Sequence, residues 1–316
     1  MSRVDRLVQG FRRGDMRALA RAISLVEAGE AQGEELLAEL ARVDRRARLI
    51  GVTGPPGAGK STLTAKLAQA LLDRGERVAL LLIDPSSPFT GGAILGDRIR
   101  MHDIVGQSGL YVRSLGSRGS LGGLSRAVPP VVQLLESFGF DTVIVETVGT
   151  GQAETDVVEA VDSVVVVAVP GLGDDVQAMK AGIIEIADVC VVNKADREGA
   201  ERTARQLEEA LKLGPRSVPV LATIATSGVG VAALVNALDD HYRAMVADGE
   251  LAQRRKARLR KALYTYTSSI VNGRLGEWLE HRLSSLWPDI ESGQVDVYTC
   301  GRKLAAEFQR GGEEQC

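Results

Sequence analysis

Apolar positions follow three successive rhythms along the chain. In the first stretch they recur at helical spacing: Asp15 is placed to cap a helix carrying Leu19, Ala20, Ile23 and Val26, and Gly29 stops it. A second stripe, Leu36, Leu37, Leu40 and Val43, predicts another helix ending in the basic run Arg45-Arg46-Ala47-Arg48. From Arg48 the pattern changes to short β-branched runs: Leu49–Val52, Val78–Ile83, Leu110–Val112, Thr142–Val145, Val164–Val169, Val189–Val192 and Val218–Leu221. These runs scarcely alternate, which is how strands covered on both faces read, and helical stretches lie between most of them. The expected fold is therefore α/β, a doubly wound, mostly parallel sheet with helical extensions at both ends. Beyond His241 the pattern is helical and charged. Arg254-Arg255-Lys256-Ala257-Arg258-Leu259-Arg260-Lys261 reads as a solvated helix face, and Leu263, Tyr266, Ile270, Leu275, Trp278, Leu279 and Leu283 form an apolar stripe that needs a partner surface. The expected organisation is a helical segment 1–47, an α/β domain 48–240 and a helical segment 241–316.

Composition narrows the function classes. A 316-residue chain with 45% hydrophobic and 25% charged residues can form an ordinary core. A net charge of −3 argues against an electrostatic nucleic-acid binder. Cys190, Cys300 and Cys316 lie far apart and form neither a disulfide framework nor a metal-binding pair. No stretch approaches the about 18 uninterrupted apolar residues of a membrane span, and the N-terminus lacks a signal-like apolar run, so a cytoplasmic protein without membrane or nucleic-acid partners is expected.

Ligands of doubly wound sheets bind beyond the carboxyl ends of the strands, so the residues that close each strand are the candidates for chemistry. The first strand runs into Gly54-Pro55-Pro56-Gly57-Ala58-Gly59-Lys60-Ser61-Thr62, a G-x-x-x-x-G-K-[ST] loop with a strand before it and a helix after it. Its glycines let successive N–H groups curl around a polyphosphate. Lys60 is suited to neutralise the β- and γ-phosphates, and Ser61 to hold one position on Mg²⁺. The second strand ends at Asp84, which either faces the phosphate loop through a metal-bound water or simply forms an Asp-Pro turn. In the Gly-rich loop that follows, Asp97 could approach the metal and Arg98 or Arg100 the phosphates, with solvated loop charges as the competing explanation. Glu146 and Gly149 have the acid-x-x-Gly spacing that brings a carboxylate to the Mg²⁺ shell and a backbone N–H to the γ-phosphate. Thr150 stands where a water-orienting Gln is usual, which predicts weak intrinsic hydrolysis, with Gln152 as a substitute. Finally, Asn193-Lys194-Ala195-Asp196 closes another strand with the N-K-x-D pattern. The Asp196 carboxylate can accept both N1–H and N2–H of guanine, donors that adenine does not offer together. Ser227, in the last loop, could add a backbone contact to the base.

Taken together, G-P-P-G-A-G-K-S-T-L, I-D-P-S-S, T-G-G-A-I-L-G-D-R-I-R-M, G-S-L-G-G-L-S-R, V-E-T-V-G-T-G-Q-A-E, P-G-L-G-D-D-V-Q-A-M-K-A-G-I-I-E-I-A-D and V-V-N-K-A-D resemble the MeaB/ArgK-type GTPases, relatives of the human methylmalonic-aciduria type A protein. The resemblance implies a SIMIBI-class P-loop GTPase, using GTP/GDP and Mg²⁺, that escorts an adenosylcobalamin-dependent acyl-CoA mutase. It would gate cofactor delivery and protect or reactivate the mutase, which would in turn stimulate its hydrolysis. The family's metal and switch residues map onto Ser61, Asp84, Asp97 and Glu146, and its coupling segment onto 173–182, where Asp174, Gln177 and Lys180 are the polar candidates. The C-terminal helices would form a homodimerisation arm. Thr150, Ala153, Asp175, Val176 and Ala178 depart from the usual family residues. Two other readings compete: a nickel-insertion GTPase, disfavoured by the scatter of His102, His241, His281 and the cysteines, and a small-molecule or protein kinase, disfavoured by N-K-A-D.

Overall fold

The computed structural model describes residues 2–40, 46–84, 104, 106–116, 127–147, 157, 159–171, 185–214 and 216–313. Seven strands form one sheet: β1 (Arg48–Thr53), β2 (Val78–Asp84), β3 (Leu110–Gly116), β4 (Thr142–Thr147), β5 (Ser163–Ala168), β6 (Val189–Asn193) and β7 (Val220–Thr223). Their order is β3-β2-β4-β1-β5-β6-β7, and the paired strands are parallel throughout. The predicted doubly wound parallel sheet is thus the observed one. β1, β4, β5 and β6 are buried almost end to end, whereas β3 and β7, at the sheet edges, are partly exposed.

Because side chains alternate across a strand, each strand feeds two cores. Leu49, Leu81, Val143, Val145, Val164 and Val166 point to one face, where α2 (Met16–Ala28), α5 (Val128–Phe138) and α6 (Ala200–Leu211) supply Leu19, Ile23, Leu135 and Leu207. Ile50, Val52, Leu80, Leu82, Ile144 and Val165 point to the other, covered by Leu63 and Leu67 of α4 (Lys60–Asp73) and Leu234 and Leu238 of α7 (Val231–Ala247). Asp15 caps α2 by accepting from Arg17 N–H at 2.8 Å, and Gly29 ends it at φ +71°. The sequence pattern missed one helix, α1 (Arg3–Arg12), which a Ser2/Asp5 capping box begins. α3 (Ala31–Leu40) carries Leu36 and Leu40 inward, while Val43 lies outside the described residues.

At the N-terminal edge of the sheet, two aspartates precede β5 and β6 and each accepts the N–H of the second residue of a neighbouring strand. Asp162 takes Leu49 N–H at 3.1 Å, and Asp188 takes Val164 N–H at 2.9 Å. Consecutive arginines at the start of α8 (Glu250–Glu291) complete the arrangement. Arg254 reaches both Asp188 oxygens at 2.9 Å, and Arg255 meets Asp162 Oδ2 at 2.9 Å. The predicted solvated face is therefore wrong for these two: their side chains are only 20% and 17% exposed, because the aspartates would otherwise be buried charges without counter-ions. His241 adds Nε2 to Asp188 Oδ1 at 3.2 Å and Nδ1 to the Ser163 hydroxyl at 2.9 Å. Burial pushes the Asp188 carboxyl up, but hydrogen bonds from His241 and Arg254 and their charges outweigh it and hold it at about 2.

The chain divides into two compact units, Met1–Arg255 and Lys256–Cys316. Within the second, Trp278 packs on Phe308 of α9 (Val297–Glu313) with ring centroids 5.5 Å apart, and Arg282 lies over Trp278. Leu263, Tyr264, Tyr266, Ile270 and Val271 are exposed. Among the described residues, no helix is long and apolar enough to cross a membrane.

Candidate functional site

The phosphate loop leaves β1 at Thr53 and enters α4 at Lys60, and two of its glycines are required by close approach. Gly54 sits at φ +139°, where a Cβ would lie 2.2 Å from the Val167 carbonyl oxygen. At Gly59, φ +84°, a Cβ would meet Asn193 Nδ2 at 2.4 Å. The Gly59 N-cap supplies no side-chain hydrogen bond to α4, so the first-turn N–H groups of Lys60, Ser61 and Thr62 face a site suited to an anion. Pro56 and Gly57 at the loop tip are exposed, Pro55 is half-buried and Ala58 is buried. The Lys60 ammonium donates to the carbonyls of Gly54 at 2.7 Å and Pro55 at 3.1 Å, which holds a cation inside the loop's curve. Exchanging those neutral acceptors for phosphate oxygens gives stronger, charge-assisted bonds.

One turn of α4 packs against the end of β4. Ser61 donates its hydroxyl to Glu146 Oε1 at 2.6 Å, and both residues are buried. The sheet's alternation sends the next residue to the opposite face, where Thr147 donates to Thr53 Oγ1 at 3.0 Å; these two are 1% and 0% exposed. Sequence reasoning passed over this threonine pair, since each residue alone reads as an ordinary β-former.

The N-K-x-D strand end serves two purposes. Asn193 turns inward: its amide donates to the Ala58 carbonyl at 2.8 Å, and its oxygen accepts from Ala225 N–H at 3.1 Å and the Thr223 hydroxyl at 3.2 Å. A single buried side chain thereby ties the phosphate loop to the loop after β7. Lys194 adopts φ +57°, the one positive φ at a non-glycine among the described residues, and its ammonium donates to the Gly57 carbonyl at 2.7 Å. Asp196 is exposed beside these anchors, and Ser227 is exposed and donates to the Ile224 carbonyl at 3.2 Å.

The structure thus brings Gly54–Thr62, Glu146 and Asn193–Asp196 to one edge of the sheet, the edge where doubly wound folds hold ligands. Asp84 closes β2 at that edge, in register with Gly116, and its side chain lies outside the described residues. Asp97, Arg98, Arg100, Gly149, Gln152, Asp174, Gln177 and Lys180 also lie outside them. Among the described residues, no group of three or more His, Cys, Asp or Glu side chains is arranged to hold a metal ion. Burial pushes the Cys190 thiol up to about 12, so it is a packing residue rather than a ligand.

Comparison with known proteins agrees with this geometry. The family model described as "Methylmalonyl Co-A mutase-associated GTPase MeaB" matches residues 19–277. The GTPase ArgK of Escherichia coli is 37% identical over 261 residues, covering 79% of each chain. The mitochondrial methylmalonic aciduria type A homolog of Mus musculus is 36% identical over 275 residues, which are 80% of this chain and 66% of the mouse protein. A crystal structure of an LAO/AO transport system kinase superposes with a TM-score of 0.71 at 26% identity, covering 98% of this chain and 99% of that one. With a family match over most of its length and a phosphate loop and N-K-x-D strand end at one edge of the sheet, the chain belongs to the MeaB family of P-loop GTPases.

Proposed function

We propose that the chain is a Mg²⁺-dependent GTPase that serves as a chaperone of an adenosylcobalamin-dependent acyl-CoA mutase, gating delivery of the cofactor and protecting or reactivating the mutase. The observation that carries this reading is the extent of the family match. It runs to residue 277, past the last strand of the sheet and well into α8. The likeness therefore includes part of the chain that a bare nucleotide switch does not need. The mouse relative's name, which refers to methylmalonic aciduria, points the same way. The exposed apolar residues Leu263, Tyr264, Ile270 and Val271 in the second unit support a role for residues 241–316 in forming a homodimer.

Ser61 and Glu146 fit Mg²⁺: a hydroxyl and a carboxylate oxygen lie 2.6 Å apart, and hard oxygen donors are what this ion takes. When bound, the ion would neutralise charge on the β- and γ-phosphates. Asp84 and Asp97 complete the proposed donor set, directly or through water. Lys60 binds the phosphates, the α4 N–H groups orient them, and Asp196 selects guanine. Gly149 and Gln152 are the proposed γ-phosphate sensor and water-orienting residue. Arg98, Arg100, Asp174, Gln177 and Lys180 are the proposed links from nucleotide state to the mutase.

Steady-state hydrolysis of GTP, with ATP as control, tests this reading in the presence and absence of a B12-dependent acyl-CoA mutase. The expected result is a slow, GTP-specific rate that rises when mutase is added. Hydrolysis that no such mutase alters, with no detectable complex, would remove the chaperone role and leave the GTPase.

A further inference from the structure

The threonine pair at the ends of β1 and β4 is a buried polar contact with no evident need in packing. Thr53 and Thr147 lie on the sheet face lined elsewhere by Leu49, Val143, Val145, Val164 and Val166, where valine has nearly the same shape and carries no hydroxyl to desolvate. A hydroxyl buried without a partner costs about 1–3 kcal/mol, a cost that their meeting offsets, with Thr147 donating to Thr53 at 3.0 Å. Their position is informative. Thr53 is the last residue of β1 before the phosphate loop, and Thr147 the last of β4, immediately after Glu146. Register pairs Val52 with Glu146, so both chains leave the sheet side by side.

Successive strand residues project to opposite faces, which places two cross-links back to back. On the α4 face Glu146 accepts from Ser61, and on the other face Thr147 donates to Thr53. Pinning Thr147 adds to the ladder that pairs β4 with β1 and β2, and so limits how far Glu146 can swing from Ser61. We propose that Thr147 and Thr53 form a latch between the phosphate loop and the end of β4, and that Thr147 is a positioning residue for GTP hydrolysis acting through Glu146. Its hydroxyl bonds Thr53, on the sheet face opposite the Ser61–Glu146 contact. The latch rests on the proposed role of Glu146 at the Mg²⁺ shell.

The test uses the full chain in the variants Thr147→Val, Thr53→Val, Thr147→Ser and the double Thr53→Val/Thr147→Val, with Glu146→Gln as reference. Each is measured for kcat and KM with GTP, GDP affinity, the Mg²⁺ concentration giving half-maximal rate, and thermal unfolding. Either single valine variant should lower kcat about tenfold and raise the Mg²⁺ requirement in the direction Glu146→Gln does, with GDP affinity within about twofold of the unaltered chain. Thr147→Ser, which keeps the hydroxyl, should restore most of the rate. The double variant separates the latch from simple packing. Replacing both partners by apolar isosteres should return thermal stability close to the starting value, yet kcat should stay low. Recovery of kcat together with stability would show a purely structural pair and overturn the proposal. So would a Thr53→Val chain with unchanged kcat and Mg²⁺ requirement. If Glu146→Gln itself leaves the Mg²⁺ requirement unchanged, the metal reading of Glu146 fails, and the latch fails with it. That result is distinct from a normal threonine variant beside an impaired Glu146→Gln.

Discussion

The two ends of the parallel strands handle charge in opposite ways. At the N-terminal ends of β5 and β6, Asp188 is held by Arg254 through two bonds of 2.9 Å, by His241 and by a backbone N–H, and Asp162 is held by Arg255 and Leu49 N–H. At the C-terminal ends, Lys60 donates to carbonyls of its own loop, Lys194 to the Gly57 carbonyl of the phosphate loop, and Asp196 stands exposed. Charges at the first edge are thus matched by opposite charges, while the Lys60 and Lys194 ammonium groups donate to carbonyls that phosphate oxygens can replace. Lys194, the one non-glycine at positive φ among the described residues, also lies at the nucleotide edge.

Substitutions at the two ends should therefore fail differently. The largest effect on chemistry is expected from Lys60→Ala, which should lower kcat for GTP by about 100-fold or more with little change in thermal unfolding. At the opposite edge Asp188→Asn should do the reverse. It leaves Arg254 with Glu250 at 2.9 Å as its remaining counter-ion and should cost about 2–3 kcal/mol of stability in denaturant titration while the folded protein hydrolyses GTP at a near-normal rate. Asp196→Asn should reduce the preference for GTP over ATP about tenfold or more, measured as the ratio of kcat/KM values, without altering the unfolding midpoint. A smaller effect concerns acid. The Asp188 carboxyl at about 2 lies below its unfolded value near 4, so its stabilisation is complete above that value and disappears as pH falls through about 2. Unfolding free energies across this window should decline by about 2–3 kcal/mol more for the unaltered chain than for Asp188→Asn. Gln152→Ala addresses the attacking water: unchanged turnover would remove Gln152 from the mechanism.

The nucleotide edge was far more legible in the sequence than its counterpart, for a physical reason. Phosphate cradling needs contiguous backbone N–H groups, and guanine recognition needs a short strand-end motif, so Gly54–Thr62 and Asn193–Asp196 each appear as an unbroken run. The seven strands were visible because the central parallel strands are apolar nearly throughout. β3 was read as ending at Val112 because the polar Arg113 and Ser114 interrupt the apolar run; Arg113 is accommodated by an ion pair with Glu27 at 2.6 Å. The clamp at the other edge joins residues far apart in sequence, Asp162 and Asp188 with Arg254 and Arg255. Its only local trace is an aspartate just ahead of a β-branched run, twice. Against that, a basic stretch on a helix looks solvated. The inward role of Asn193 was equally hidden, since two of its partners, Ala58 and Ala225, offer backbone groups and the third, Thr223, reads as an ordinary strand residue.

Amide hydrogen exchange with and without GDP and Mg²⁺ tests the division between the two edges most directly. The account predicts added protection at residues 57–63, 146–147 and 194–196, with no change at 162–164, 188–189 and 251–255. Protection concentrated at the Asp162/Asp188 edge, with the phosphate loop unaffected, would contradict it.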